Sequence, residues 1–194
     1  MRKLTCTHLR THARSMIAQS RPVATDTAAK DIELMKQSAT LSPCRTFRYE
    51  LWRRWTDSDS GSECRYAMFV GLNPSTADET RDDPTIRRCI SFAQDWGYDA
   101  LCMTNLFAFR ATKPKDMRQH SDPIGPDNDD HLIRCAKSAG VIVAAWGVSG
   151  TYNGRDMQVR ALLPNLHFLR LTARGHPSHP LYLPKSLTPV TWTS

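Results

Sequence analysis

Three short polar motifs, each directly after an apolar run, carry most of the chemistry this chain could perform. Met68-Phe69-Val70 leads into Gly71-Leu72-Asn73-Pro74-Ser75. Ala100-Leu101-Cys102-Met103 leads into Thr104-Asn105-Leu106-Phe107. Leu166 to Leu171 leads toward Gly175-His176-Pro177-Ser178. Open α/β sheets build sites from such buried strands, ended by Gly, Pro, Asn or His at the carboxyl edge. Two amides and one imidazole at one edge suit recognition of a heterocyclic base and stabilisation of a leaving group. An amide both donates and accepts, so it pairs with a pyrimidine-like edge. A histidine at its ordinary pKa supplies a neutral donor near pH 7.

The elements that must position these residues follow from periodicity and punctuation. Tyr66–Leu72, Asp99–Asn105, Gly140–Trp146 and Leu166–Leu171 read as four core strands. Gly140–Trp146 is apolar throughout, as a strand buried on both faces should be. Thr46–Trp52 alternates partly and reads as an edge strand. A helix follows Asp83, which can cap it, and Pro84, which suits its first turn. Gly97 can end it, and Ile86, Ile90, Ala93 and Trp96 share one face. Thr112–Pro126 reads as a loop. Asp127–Ser138 reads as a helix with Leu132, Ile133 and Ala136 inward, and Gln158–Leu163 as part of another. Strand–helix alternation implies one α/β domain, a short four-stranded parallel sheet with helices on both faces.

With 194 residues, the chain suffices for one domain with a proper core. Residues 1–36 read as a basic, flexible extension holding seven Lys/Arg against three Asp/Glu, and residues 40–194 as the domain. The first 25 residues lack acids and resemble a transit peptide; a disordered tail or an upstream start is the favoured alternative. The net charge of +7 is thus only mildly expressed in the body. It is compatible with nucleic acid and equally with a solubilising surface. No apolar run approaches the ~20 residues of a membrane span. The six cysteines form no CxxC pair, so a reduced, cytoplasmic protein without bound metal is expected.

Four motifs, in order, resemble the uracil-DNA glycosylase superfamily: Gly71–Ser75, Thr104–Arg110, Val143–Gly147 and Gly175–Ser178. Thr40–Gly147 also resembles an uncharacterised bacterial and phage family with a Gly-Leu-Asn-Pro-Ser motif, a likeness that brings no activity with it. The superfamily resemblance implies a monomeric, cofactor-free DNA glycosylase that hydrolyses the N-glycosidic bond of uracil or a modified pyrimidine. It implies that Asn73 positions the attacking water and His176 stabilises the departing base. Gly71, Leu72, Pro74, Ser75, Asn105 and Phe107 would hold that base. Arg110, Lys113, Arg174, Ser178 and Lys185 would contact DNA, and Leu181 would fill the space of a flipped base. The fastest superfamily members carry Asp where this chain has Asn73, and an amide is no general base at neutral pH. Asp78, Asp82 and Asp83 could compensate, or could merely cap the next helix. Small residues at 74–76 leave room for a substituent on carbon 5 of the base. A nucleoside or nucleotide N-glycosidase, or a catalytically weak DNA or modified-base binding module, are the alternative expectations.

Overall fold

A computed structural model describes residues 36–56, 64–163 and 165–193. Residues 1–35 of the basic extension lie outside it, and Lys36 already belongs to the first strand.

The chain runs β1 (Lys36–Leu41), β2 (Arg48–Arg54), β3 (Tyr66–Gly71), α1 (Pro84–Asp95), β4 (Ala100–Asn105) and α2 (Pro114–Gln119). It continues through α3 (Asn128–Ala136), β5 (Val141–Ala144), a 3₁₀ segment (Val148–Gly154), α4 (Arg155–Leu162) and β6 (Leu166–Phe168). A 3₁₀ turn (Pro180–Tyr182) and β7 (Val190–Thr191) complete it. The seven strands form one sheet in the order β1-β2-β4-β3-β5-β6-β7. The four expected core strands are all present, and β4-β3-β5-β6 pair in parallel. The sheet is larger than those four strands because both margins are extended by antiparallel neighbours. β2 pairs with β4, β1 covers β2, and β7 pairs with β6. The expected edge strand is therefore second in the sheet, and its run Arg48–Leu51 is buried. A parallel strand left unpaired would expose a row of amides and carbonyls, and antiparallel neighbours satisfy them.

Alternation along β3 divides the core. Ala67 and Phe69 pack with Ile86, Cys89, Ile90, Phe92 and Ala93 of α1 on one face. Tyr66, Met68 and Val70 pack with Leu132 and Cys135 of α3 and Val159 of α4 on the other. A strand covered on both faces must be apolar at every position, and β3 is buried along its whole length. Each large side chain so covered contributes on the order of 1.5–3 kcal/mol.

Local punctuation behaves as expected at α1. Asp83 Oδ1 accepts from the Ile86 amide at 2.9 Å, and Pro84 occupies the first turn. The chain leaves the helix through Gly97 at φ +78°, a left-handed conformation that glycine adopts without steric cost. The helix expected to contain Gln158–Leu163 is α4, which begins at Arg155, where the buried guanidinium donates to the Leu106 carbonyl. Two expectations shift. Ile133 is 37% exposed, because the inward stripe of α3 runs through Leu132 and Cys135. The loop from Thr112 contains α2, whose Met117 is fully buried.

Candidate functional site

The parallel register brings the motifs to one edge. Gly71 at the end of β3 lies opposite Asn105 at the end of β4, and Val70 opposite Ala144 of β5. Backbone bonds continue beyond the strands: the Leu106 amide donates to Gly71 O, the Phe107 amide to Leu72 O and the Ala145 amide to Val70 O. A cleft of about 390 Å³ opens at this edge. Its walls come from the loop after β3, the first turn of α1, Ala111, Thr112 and Pro114, the segment after β5 and His179.

Asn105 lines this cleft at 1% exposure, and its amide nitrogen has no hydrogen-bond partner. The backbone of the same residue is fixed, since Asn128 Nδ2 donates to Asn105 O at 3.1 Å. Gly71 makes room for the side chain. A Cβ there would stand 2.9 Å from Asn105 Oδ1 and 2.7 Å from Met103 Cε.

Asn73 is fixed in the complementary sense. Its Nδ2 donates to Ala111 O at 2.7 Å and to Pro74 O at 3.0 Å. Both amide protons are thereby used, and Oδ1 remains as an acceptor beside the cleft. Of the three downstream acids, Asp78 holds a turn by accepting from Thr80 and Arg81. Asp82 pairs with buried Arg53 at 2.7 Å. Only Asp83 lines the cleft, with Oδ1 occupied by the helix cap.

Gly71, Leu72, Asn73, Ser75 and Asn105 thus meet, as the motif spacing anticipated. Pro74 is buried behind them and accepts from the Ala111 amide. Phe107 is fully buried and packs against Tyr152, centroids 5.9 Å apart, outside the cleft lining. His176 sits in the turn after β6, its amide donating to Thr172 Oγ1, and the cleft lining does not include it. His179 lines the cleft instead. Its Nδ1 accepts from the Leu181 amide at 3.4 Å, so in the neutral ring the proton resides on Nε2. His179 is exposed overall, but the protein packed around its ring disfavours the charged form and lowers its pKa, opposed by the nearby Asp83 carboxylate.

The basic residues are dispersed. Lys113 lies between cleft residues Thr112 and Pro114 and is exposed. Arg110 donates to Arg45 O, and Arg174 is exposed in the turn before His176. The Ser178 amide donates to Arg170 O, tying that segment to the turn. Lys185 lies 3.5 Å from Asp95, at the end of α1 remote from the cleft. Leu181 is half-buried, whereas the neighbouring Tyr182 is 84% exposed.

Two further cleft residues had no site role assigned from the sequence, although Trp146 lies within the Val143–Gly147 motif. Trp146 is 2% exposed and its Nε1 lacks a partner. Gly150 packs on its ring so closely that any Cβ would stand 2.2 Å from Trp146 Cδ1. Arg48 is 2% exposed, and its Nη1 donates to Ala77 O at 2.7 Å. Burial pushes its guanidinium down to about 10, with Asp83 opposing and Arg110 and Arg53 reinforcing the fall. An Arg within the apolar alternation of Phe47, Tyr49 and Leu51 was the available signal, since arginine is rarely buried without a purpose.

Among the described residues no cluster of three or more His, Cys, Asp or Glu is placed to hold a metal ion, and no helix is long and apolar enough to cross a membrane. Fold and site together define an α/β protein with a polar cleft at the carboxyl edge of its parallel strands. Residues 48–181, about two thirds of the chain, match the family described as "Protein of unknown function (DUF1643)". The protein belongs to that family. No curated protein and no solved structure matches it.

Proposed function

We propose that the protein is a monofunctional DNA glycosylase related to the uracil-DNA glycosylase superfamily, excising uracil or a 5-substituted pyrimidine. The observation that carries this reading is Asn105: a buried amide at a strand end, lining a cleft, with its nitrogen unpartnered. An unsatisfied buried donor costs on the order of 1–3 kcal/mol, which a ligand acceptor would recover. A base carbonyl is such an acceptor.

The reaction uses the remaining groups in turn. As the N-glycosidic bond breaks, its electron pair passes to the base and the sugar gains cationic character. The Nε2–H of His179 and the amide of Asn105 stabilise the anion that develops, which lowers the barrier because the charge exists only in the transition state. Asn73 Oδ1 accepts from the attacking water, and the free oxygen of Asp83 takes its proton. The water oxygen bonds to the anomeric carbon and the base departs. Among the described residues no lysine lines the cleft, so in this reading hydrolysis leaves an abasic site rather than a covalent enzyme–sugar intermediate. Ser75 offers little bulk against a 5-substituent. Lys113, Arg110 and Arg174 would contact the strand, as would Ser178, while exposed Tyr182 is better presented than Leu181 to stack against neighbouring bases.

The test is base release from labelled single- and double-stranded oligonucleotides bearing uracil, mismatched thymine, hypoxanthine or 5-substituted pyrimidines. Alkali-sensitive abasic sites from wild type, abolished in Asn105→Ala and His179→Ala, are expected. Loss in His176→Ala with activity kept in His179→Ala would return the donor role to His176. DNA binding without release from any substrate would favour the binding-module reading, which the amide at position 73 already supports.

A further inference from the structure

The geometry points to a phosphate subsite at Arg48, so that the cleft takes a nucleotide unit through its phosphate as well as its base. The inference rests on the excision reading for the cleft and its base, not for the chemistry. Arg48 reaches the cleft from β2, with one terminal nitrogen committed to Ala77 O. Its Nε is buried without a partner, and Nη2 makes no hydrogen bond either. These two nitrogens form one edge of the guanidinium, the fork that matches two oxygens of a phosphate. No carboxylate forms an ion pair with Arg48 among the described residues. A buried cation without a counter-ion is costly, and an arriving anion removes that cost.

Three further features agree. The unpartnered buried nitrogens of Asn105, Trp146 and Arg48 belong to three lining residues, and each is a donor, so the cleft calls for an acceptor-rich ligand. Arg53 and Arg110 add positive charge around Arg48. The first turn of the twelve-residue α1, through Thr85 and Ile86, faces the same space and favours negative charge. Asp83 opposes this, since it lines the cleft too. Its carboxylate therefore weakens phosphate binding and gives a second, opposite-signed test.

Calorimetry on the full chain would compare deoxyuridine, deoxyuridine 5′-monophosphate, inorganic phosphate and a single-stranded oligonucleotide without terminal phosphates. The monophosphate should bind at least tenfold more tightly than the nucleoside. Arg48→Lys keeps a cation but loses the fork, and should abolish most of that preference. Asp83→Asn retains a competent helix cap and should widen it severalfold. If the oligonucleotide and not the monophosphate loses affinity in Arg48→Lys, the phosphate is that of a DNA strand rather than of a free nucleotide. Equal affinity for nucleoside and monophosphate, with oligonucleotide binding unchanged in Arg48→Lys, would overturn the subsite. So would a phosphate preference unmoved by either substitution. Phosphate preference without base release would leave the subsite standing and remove the excision reading. Base release undiminished in Arg48→Lys, with no phosphate preference, would do the reverse.

Discussion

Asn105 and His179 make opposite contributions to folding and to the proposed chemistry. The Asn105 amide nitrogen is buried and unpartnered, which costs stability while the cleft is empty. Asn105→Ala should therefore melt at or above the wild-type temperature while kcat/KM for base release falls at least a hundredfold. A core asparagine serving structure alone would lower both. The protein packed around His179 disfavours its charged form and holds its pKa below the ordinary histidine value, although the residue is exposed overall. Protonation also ends its acceptance from the Leu181 amide. The neutral ring is the form favoured by folding, so its stabilising contribution is present above the unfolded pKa and lost as pH falls through the folded one. Acid should therefore loosen the turn at His179, and His179→Gln should lack that pH-dependent part of the stability, read by denaturation against pH. Gly71 belongs at this scale too. Gly71→Ala places a methyl against Asn105 Oδ1 and should cut activity more than tenfold while costing about 1–3 kcal/mol of stability, checked by paired kinetics and denaturation.

The loop between β3 and α1 owes its position to a neighbouring strand. Arg53 of β2 is fully buried and donates to Asp82 and to the carbonyls of Trp52 and Asp78. Arg48, at the start of the same strand, holds Ala77 O. Arginines of β2 thus fasten a segment that carries Asn73 at one end and Asp83 at the other. Removing one partner of a buried charged network costs roughly 3–5 kcal/mol. Arg53→Met should destabilise by about that amount in urea unfolding. It should also depress base release at temperatures where the fold persists, because Asn73 and Asp83 lose their spacing. Nothing in the local sequence of the loop reveals this, since the fastening residues precede it by about 25 positions.

Across the whole molecule, Glu50 joins the sheet to the helix layer. It accepts from Trp52 Nε1 at 2.7 Å, His131 Nδ1 at 2.6 Å and Arg134 of α3. Burial pushes its carboxyl upward, but these hydrogen bonds prevail and hold it below the ordinary range. A depressed carboxylate stabilises the fold above its unfolded pKa, and that contribution disappears as pH falls through the folded value. Acid should therefore unfold the protein with a component that Glu50→Gln removes, read by circular dichroism against pH. At neutral pH the same substitution should lower the melting temperature.

The central parallel strands were legible in the amino-acid sequence because β3 and β5 are covered on both faces and β4 is apolar up to its polar end, whereas β6, half-buried at His167 and Phe168, was legible from its flanking leucine and phenylalanine. α1 was legible through Asp83, Pro84 and Gly97, whose effects are local. The convergence of Gly71, Asn73 and Asn105 followed from the rule that parallel strands end at one edge. The sheet margins were not legible, because β1, β2 and β7 are defined by which neighbour they pair with. Nor was the choice between His176 and His179, which depends on the path of a turn after β6. The free donors of Asn105, Trp146 and Arg48 were equally hidden. A residue's type states how many hydrogen bonds it can make, but only the packed neighbours decide which of them remain open to a ligand.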